Sequence, residues 1–156
     1  MRHSAPLLAL TLVLASCAPQ APPTTARPPD ARPDLGAKWL DGGKYRWPPE
    51  NGFAGAAVPI ILPPGVLLDR FGSEGGRFFS PKGATFPARA LPTVCARQPY
   101  STYRVTAPLP AWIGRAAPWF DESGGATQVQ TDATAAQLVA DGTLARLPPR
   151  PATCEP

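Results

Sequence analysis

The sequence predicts a small single α+β domain, rich in strands, with a compact antiparallel sheet core and one or two short helices. Three observations point to it. The 156-residue chain carries 23 prolines and 14 glycines, a density that excludes long helices. Short runs of β-branched and aromatic residues recur between Gly and Pro pairs, as strands between turns do. One segment near the C-terminus holds a complete set of helix start and stop signals.

The chain opens with a targeting pattern. Arg2 and His3 give a positive start, Ala5 to Leu14 form an apolar run, and Leu14-Ala15-Ser16-Cys17 closes it. The run is too short to span a bilayer, so it reads as a cleaved export signal. The closing tetrapeptide is similar to a bacterial lipobox, which makes Cys17 the expected lipidation site and mature N-terminus. The alternative is an ordinary signal with a chance cysteine. Acyl chains there would contribute roughly 0.8 kcal/mol per buried methylene, an anchor rather than a span. Ala18 is not the aspartate that retains enterobacterial lipoproteins at the inner membrane, so the outer membrane or cell surface is expected.

Ala18 to Leu35 is rich in Pro, Ala and Thr and offers almost nothing to bury. It is expected to act as an extended tether of roughly 50 Å, with its charged residues simply solvated. The expected organisation is therefore a signal peptide over 1–16, lipidated Cys17 and tether over 17–35, and a folded domain over 36–156.

Within that domain, strands are expected at Val58–Leu62, Val66–Asp69, Arg77–Ser80, Thr102–Thr106 and Gln128–Thr131. Pro63-Pro64-Gly65 and Gly75-Gly76 supply turns. Thr134 with Gln137 forms a capping box for a helix, Leu138 and Val139 give it an apolar face, and Gly142 ends it. Thr143–Leu147 can return as a last strand.

Removal of the signal also removes His3, the only histidine. A Ser-His-Asp triad, a Cys-His pair and a His-ligated zinc site are thereby excluded, and no metal site is expected. Cys95 and Cys154 remain, and in an exported protein a disulfide between them is the simplest reading. The alternative, a catalytic thiol, lacks a histidine to lower its pKa. Formal net charge falls from +4 by one with the loss of Arg2. That mild basic bias suits an anionic small ligand. No run of Lys and Arg exists, which argues against nucleic acid as a partner.

Three segments carry candidate chemistry. Asp69-Arg70-Phe71-Gly72-Ser73-Glu74-Gly75-Gly76-Arg77-Phe78-Phe79-Ser80 reads as strand, glycine turn, strand. Its arginines suit phosphate oxygens and its aromatics offer flat faces to a base or pyridinium ring. The competing reading is a plain hairpin, with Phe78 or Phe79 in the core and both arginines in water. Arg89 lies in the proline-framed loop Phe86–Pro92, and Tyr103 alternates with Val105 on a strand, most simply as a core residue. Gly124-Gly125-Ala126-Thr127-Gln128 is a small-residue turn that admits close ligand approach. Gln128 either orients a water or ribose hydroxyl, or is a plain polar strand residue.

Taken in order, these segments resemble the TNT family, named for the tuberculosis necrotizing toxin, whose members hydrolyse NAD. The resemblance runs from Tyr45-Arg46-Trp47-Pro48-Pro49-Glu50-Asn51-Gly52-Phe53 to Leu147. It includes Leu62-Pro63-Pro64-Gly65, Asp69-Arg70-Phe71-Gly72-Ser73, Gly76-Arg77-Phe78-Phe79-Ser80-Pro81, Arg89-Ala90-Leu91-Pro92 and Ala117-Pro118-Trp119-Phe120. It implies an NAD+ glycohydrolase, with NAD+ or NADP+ as substrate rather than cofactor and an inhibitor (immunity) protein as a candidate partner. It also implies that Gln128 and Arg70 are catalytic, and that Arg70, Phe71, Phe78, Ser80 and Arg89 bind substrate. Departures are Ser101 where members often have histidine, Ala126 at the third glycine of the turn, and Val129 at a common aromatic.

The expected reaction suits such residues. Nicotinamide leaves as an already cationic pyridinium, so no general acid is needed and half of the usual carboxylate pair drops out. A surface nucleotide- or envelope-binding lipoprotein without turnover is the second reading. An ADP-ribosyltransferase is the third, disfavoured because Glu50, Glu74, Asp121 and Glu122 all fall in expected turns rather than on a strand.

Overall fold

The computed structural model describes residues 27–152 and Cys154. The export signal, the lipobox and Cys17 lie outside the described residues. Among those described, no helix is long and apolar enough to cross a membrane.

The expected class is the observed one: a mostly antiparallel sheet with one short helix and isolated 3-10 turns. In chain order the elements are β1 (Leu40–Asp41), β2 (Lys44–Tyr45), β3 (Val58–Leu62), β4 (Leu67–Phe71), β5 (Phe78–Pro81), β6 (Tyr100–Val105), β7 (Leu109–Arg115), β8 (Thr127–Gln130), α1 (Ala135–Ala140) and β9 (Leu144–Arg146). β1 and β2 form a separate ribbon, and the other seven strands form a sheet in the order β3-β7-β8-β5-β4-β6-β9. Every pairing is antiparallel. The order places β4, β5 and β8 side by side, although β8 lies far from the other two in sequence.

The core gathers on the face where Leu68, Phe79, Tyr103, Val105, Val129, Leu138 and Leu144 meet, all buried. Helix α1 follows its signals closely. Thr134 Oγ1 accepts from the Gln137 amide and the Gln137 side chain accepts from the Thr134 amide. The amides of Ala135 and Ala136 donate at 2.9 Å to the carbonyls of Gly76 and Glu74, so the β4–β5 turn completes the cap.

Strand β7 is absent from the sequence expectation because Pro110 and Gly114 read as breakers. The register explains why they are tolerated. Pro59 lies opposite Trp112 and Ile61 opposite Pro110, so both prolines occupy the alternate positions whose amides point away from the paired strand. Pro110 also lies beyond the end of β8, which pairs only with Trp112–Arg115. At Gly114 a Cβ would stand 2.7 Å from the Phe53 ring, so glycine makes room for that ring.

The tether expectation needs correction at its C-terminal end. Ala31 bridges Thr93, Arg32 N donates to Pro92 O, and Val94 N donates to Asp30 O. Leu35 is 1% exposed and packs with Ala31, Phe120, Trp39 and Trp119. Arg32 pairs with Glu122 and donates to Phe120 O at 2.6 Å, so it is not merely solvated. Arg27 folds back onto the carbonyls of Arg32, Pro33 and Leu35. Two apolar side chains hidden in a Pro-rich stretch suffice to dock it, each worth about 1–3 kcal/mol when buried.

Cys95 and Cys154 are joined by a disulfide, across a separation of 59 residues. It ties the C-terminal tail to the 3-10 turn Cys95–Arg97. Closing a loop of that length is worth about 4 kcal/mol in the chain-entropy model.

Candidate active site

A cavity of about 550 Å³ opens over the neighbouring strands β4, β5 and β8. Arg70, Phe71, Phe78, Ser80, Arg89 and Gln128 all line it, so residues spread over 59 positions of sequence meet in one place. Trp47, Asn51 and Gly52 close it from the segment before β3, and Gly76 from the β4–β5 turn.

Arg70 is the most unusual of these. It is 6% exposed, and its Nε and Nη1 are buried without a hydrogen-bond partner. Among the described residues no carboxylate forms an ion pair with it. Its guanidinium lies over the Phe79 ring, 5.6 Å from the centroid. It also fills the space a side chain at position 76 would need, since a Cβ on Gly76 would fall 2.0 Å from Nη2. Burial pulls its pKa below the ordinary arginine value, while Tyr103 and Glu74 oppose that shift. A buried cation with idle donors is costly until an anion satisfies it.

Arg89 is arranged differently. Nη2 donates to Asp69 Oδ1 at 2.5 Å and to Ala84 O at 2.9 Å, and Nε donates to Ala84 O at 3.2 Å. Only Nη1 is left for a ligand. Asp69 is fully buried and accepts also from Tyr100 Oη at 2.7 Å and the Gly83 amide at 3.1 Å. Burial and that hydrogen bond push the Tyr100 phenol up to about 12, so it stays a donor. Phe71 packs edge-on to Phe86 and tilted against Tyr100, with the Arg89 guanidinium 5.1 Å from its ring centre. Asp69 was not singled out from the sequence, because its partners lie 14 to 31 residues away.

Two aromatics are exposed at the cavity, Phe78 at 39% and Trp47 at 57%, the latter packed edge-on against Tyr45 and Phe120. Gln128 Nε2 donates to the backbone carbonyl of Asn51 at 2.9 Å. Ser80 is buried on β5.

Ser101 is buried and does not line the cavity. Its Oγ donates to Glu74 at 3.1 Å and accepts from Arg146 Nη2 at 2.8 Å. Glu74 also pairs with Arg146 and accepts from the core residue Tyr103 at 2.7 Å. Burial, then that hydrogen bond, raises the Tyr103 pKa. The acids Glu50, Glu74, Asp121 and Glu122 all sit off the strands, as expected. Among the described residues no group of His, Cys, Asp and Glu is arranged to hold a metal ion.

The fold and cavity define a small antiparallel-sheet domain with a cationic, aromatic-rimmed cleft, suited to a ligand that is both anionic and planar. The chain belongs to the TNT family: the model described as tuberculosis necrotizing toxin matches residues 61–147. A conidial surface nicotinamide adenine dinucleotide glycohydrolase of Aspergillus fumigatus is 42% identical over 118 residues, which cover 67% of this chain and 50% of the relative. The chain thus spans about half the length of that protein. The tuberculosis necrotizing toxin, solved in complex with its immunity factor, superposes with a TM-score of 0.57 at 23% identity. That match covers 65% of this chain and 61% of the toxin chain, and shows a shared fold.

Proposed function

We propose that this chain is an NAD(P)+ glycohydrolase. Water adds to the anomeric carbon of the nicotinamide ribose, the C–N bond breaks, and its electron pair leaves with neutral nicotinamide. ADP-ribose and one proton are the other products. The observation that carries this reading is Arg70, a buried cation with idle donors across the cavity wall from Gln128. It is what a pyrophosphate requires, because a guanidinium held dry bonds phosphate oxygens more strongly than one in water.

In this reading Arg70 holds the diphosphate and Arg89 assists through Nη1. Phe78 and Trp47 provide faces for the planar ends of the dinucleotide, and Ser80 sits beneath. Gln128 orients the ribose or the attacking water as oxocarbenium character develops. Binding energy from the distant phosphates supports distortion at the reacting carbon. The activity named for the fungal relative supports the assignment.

The lipobox at Leu14–Cys17 supports an exported, lipid-anchored position, and the 95–154 disulfide fits an oxidising compartment. The surface location in the relative's name agrees with export. A toxin role with a dedicated inhibitor is supported only by the family's namesake and its immunity factor. The folded unit is best taken as residues 27–156, with the docked segment included.

The test is an NAD cleavage assay on residues 27–156, following nicotinamide and ADP-ribose by chromatography, with Gln128→Ala alongside. Equimolar products from the parent and a large loss in the variant are expected. Stoichiometric NAD binding without product would replace this reading with a non-catalytic binding module.

A further inference from the structure

The approach to Gln128 is built from backbone rather than side chains. Glu50, Asn51 and Gly52 have φ of +51°, +53° and +81°, three left-handed residues in succession. Such a run is sparsely populated outside glycine and persists only where its surroundings over-determine it. Here they do. Gly52 O accepts from the Ala117 amide at 2.8 Å, Ala54 N donates to Arg115 O at 2.8 Å, and Phe53 bridges Ala116. The Phe53 ring lies in the space left by Gly114, the residue paired with Gln128 across β7 and β8. The turn is therefore stapled to the strand beside Gln128, with the Asn51 carbonyl 2.9 Å from Gln128 Nε2. Gly52 itself closes on the amide, since a Cβ there would stand 3.7 Å from both Nε2 and Oε1.

A carbonyl can only accept, so it fixes which end of the amide faces it. We infer that the left-handed turn at 50–52 is a positioning element that locks the Gln128 amide, so that the glutamine meets substrate with its oxygen, as a hydrogen-bond acceptor. The inference deepens the glycohydrolase reading and rests on it. An acceptor is what that chemistry needs: it takes a proton from a ribose hydroxyl or the attacking water into a hydrogen bond, and it turns the negative end of a dipole toward a carbon gaining positive charge. A free amide would rotate, and half of its orientations would present the wrong end.

The test uses the left-handed backbone at position 51, because the contact is a main-chain carbonyl. Asn51→Val puts a β-branched residue where φ is positive, whereas Asn51→Gly keeps that conformation accessible. In Asn51→Val, kcat for NAD cleavage should fall about tenfold with KM within about twofold, and Asn51→Gly should restore it. Gly114→Ala, which drives a methyl into Phe53, should reproduce the loss from the opposite side. In a Gln128→Ala background the Asn51→Val effect should vanish. A second readout does not depend on turnover: the Gln128 side-chain amide protons, followed by NMR. One should be shifted and slow to exchange in the parent and in Asn51→Gly, and free in Asn51→Val.

A freely exchanging Gln128 amide in the parent overturns the inference. So does Asn51→Gly as slow as Asn51→Val, or an Asn51→Val loss that persists without Gln128. A parent with the protected amide that releases no nicotinamide would sink the glycohydrolase reading and the catalytic half of this one, while the anchored amide would stand.

Discussion

Replacing Arg70 with methionine should move stability and substrate binding in opposite directions. Arg70 is 6% exposed, with Nε and Nη1 unsatisfied and no ion-pair partner among the described residues. In the empty protein it is a desolvated charge with only the Phe79 face and the fields of Tyr103 and Glu74 to offset it. Methionine keeps much of the volume and removes the charge, so the ligand-free variant should gain about 1–2 kcal/mol. For a domain of this size that is a rise of roughly 4–8 °C in Tm. Losing one charge-assisted bond to phosphate costs about 1.5–3 kcal/mol, so KM for NAD should rise about 10- to 150-fold. Thermal unfolding with and without ADP-ribose, beside steady-state kinetics, gives both numbers. ADP-ribose should raise Tm of the parent and leave that of the variant almost unmoved. A variant that is less stable than the parent, with KM unchanged, would refute the reasoning: Arg70 would then be a structural cation.

Asp69→Asn strands the Arg89 guanidinium in a site where it is 7% exposed, and breaking such a buried pair should cost about 3–5 kcal/mol, read by urea unfolding. Its KM should rise less than that of the Arg70 variant, since Arg89 offers substrate a single nitrogen. Residues 36–156 should be less stable than residues 27–156 by several kcal/mol, and Leu35→Ala alone should cost about 2–5 kcal/mol. Equal stability of the two lengths would restore the tether reading of 31–35. Asp121 accepts from Lys38 Nζ at 2.7 Å and Trp39 Nε1 at 2.6 Å, and those bonds hold its pKa below the ordinary 3.8. A depressed folded-state value means that the stabilisation is present above pH 3.8 and is lost as pH falls through the lower folded value. Trp39 fluorescence should report that release on acidification, and Asp121→Asn should abolish the step.

Local signals were legible and long-range ones were not. The helix at 135–140 follows directly from Thr134, Gln137 and Gly142, because each acts within a few residues. Strands β3, β4, β5, β6, β8 and β9 fall within a residue or two of their expected ranges, as their Gly and Pro borders act locally too. β7 was hidden because Pro110 and Gly114 look like breakers until the ends of β8 and the Phe53 ring are known. The docked segment was hidden because Arg32 finds Glu122, and Leu35 finds Phe120, across more than 80 residues. At the cavity, the order of motifs named six lining residues. Their inequality was not legible: that Arg89 is neutralised and Arg70 is not depends on Asp69 facing one and not the other.

The outermost strand carries one more consequence. Among the described residues β3 pairs on one side only, and the residues that turn their amides to its free side are Pro59 and Ile61. Proline has none, so the strand presents one backbone donor along that margin. Val58, Ile60 and Ile61 are all exposed there, a greasy margin that would otherwise recruit a passing extended chain. If the chain is lipid-anchored as proposed, copies held in the two dimensions of that surface would meet edge to edge far more often than in dilute solution. Pro59 would make such encounters unproductive, and its replacement by valine should leave an edge better able to pair with an extended chain.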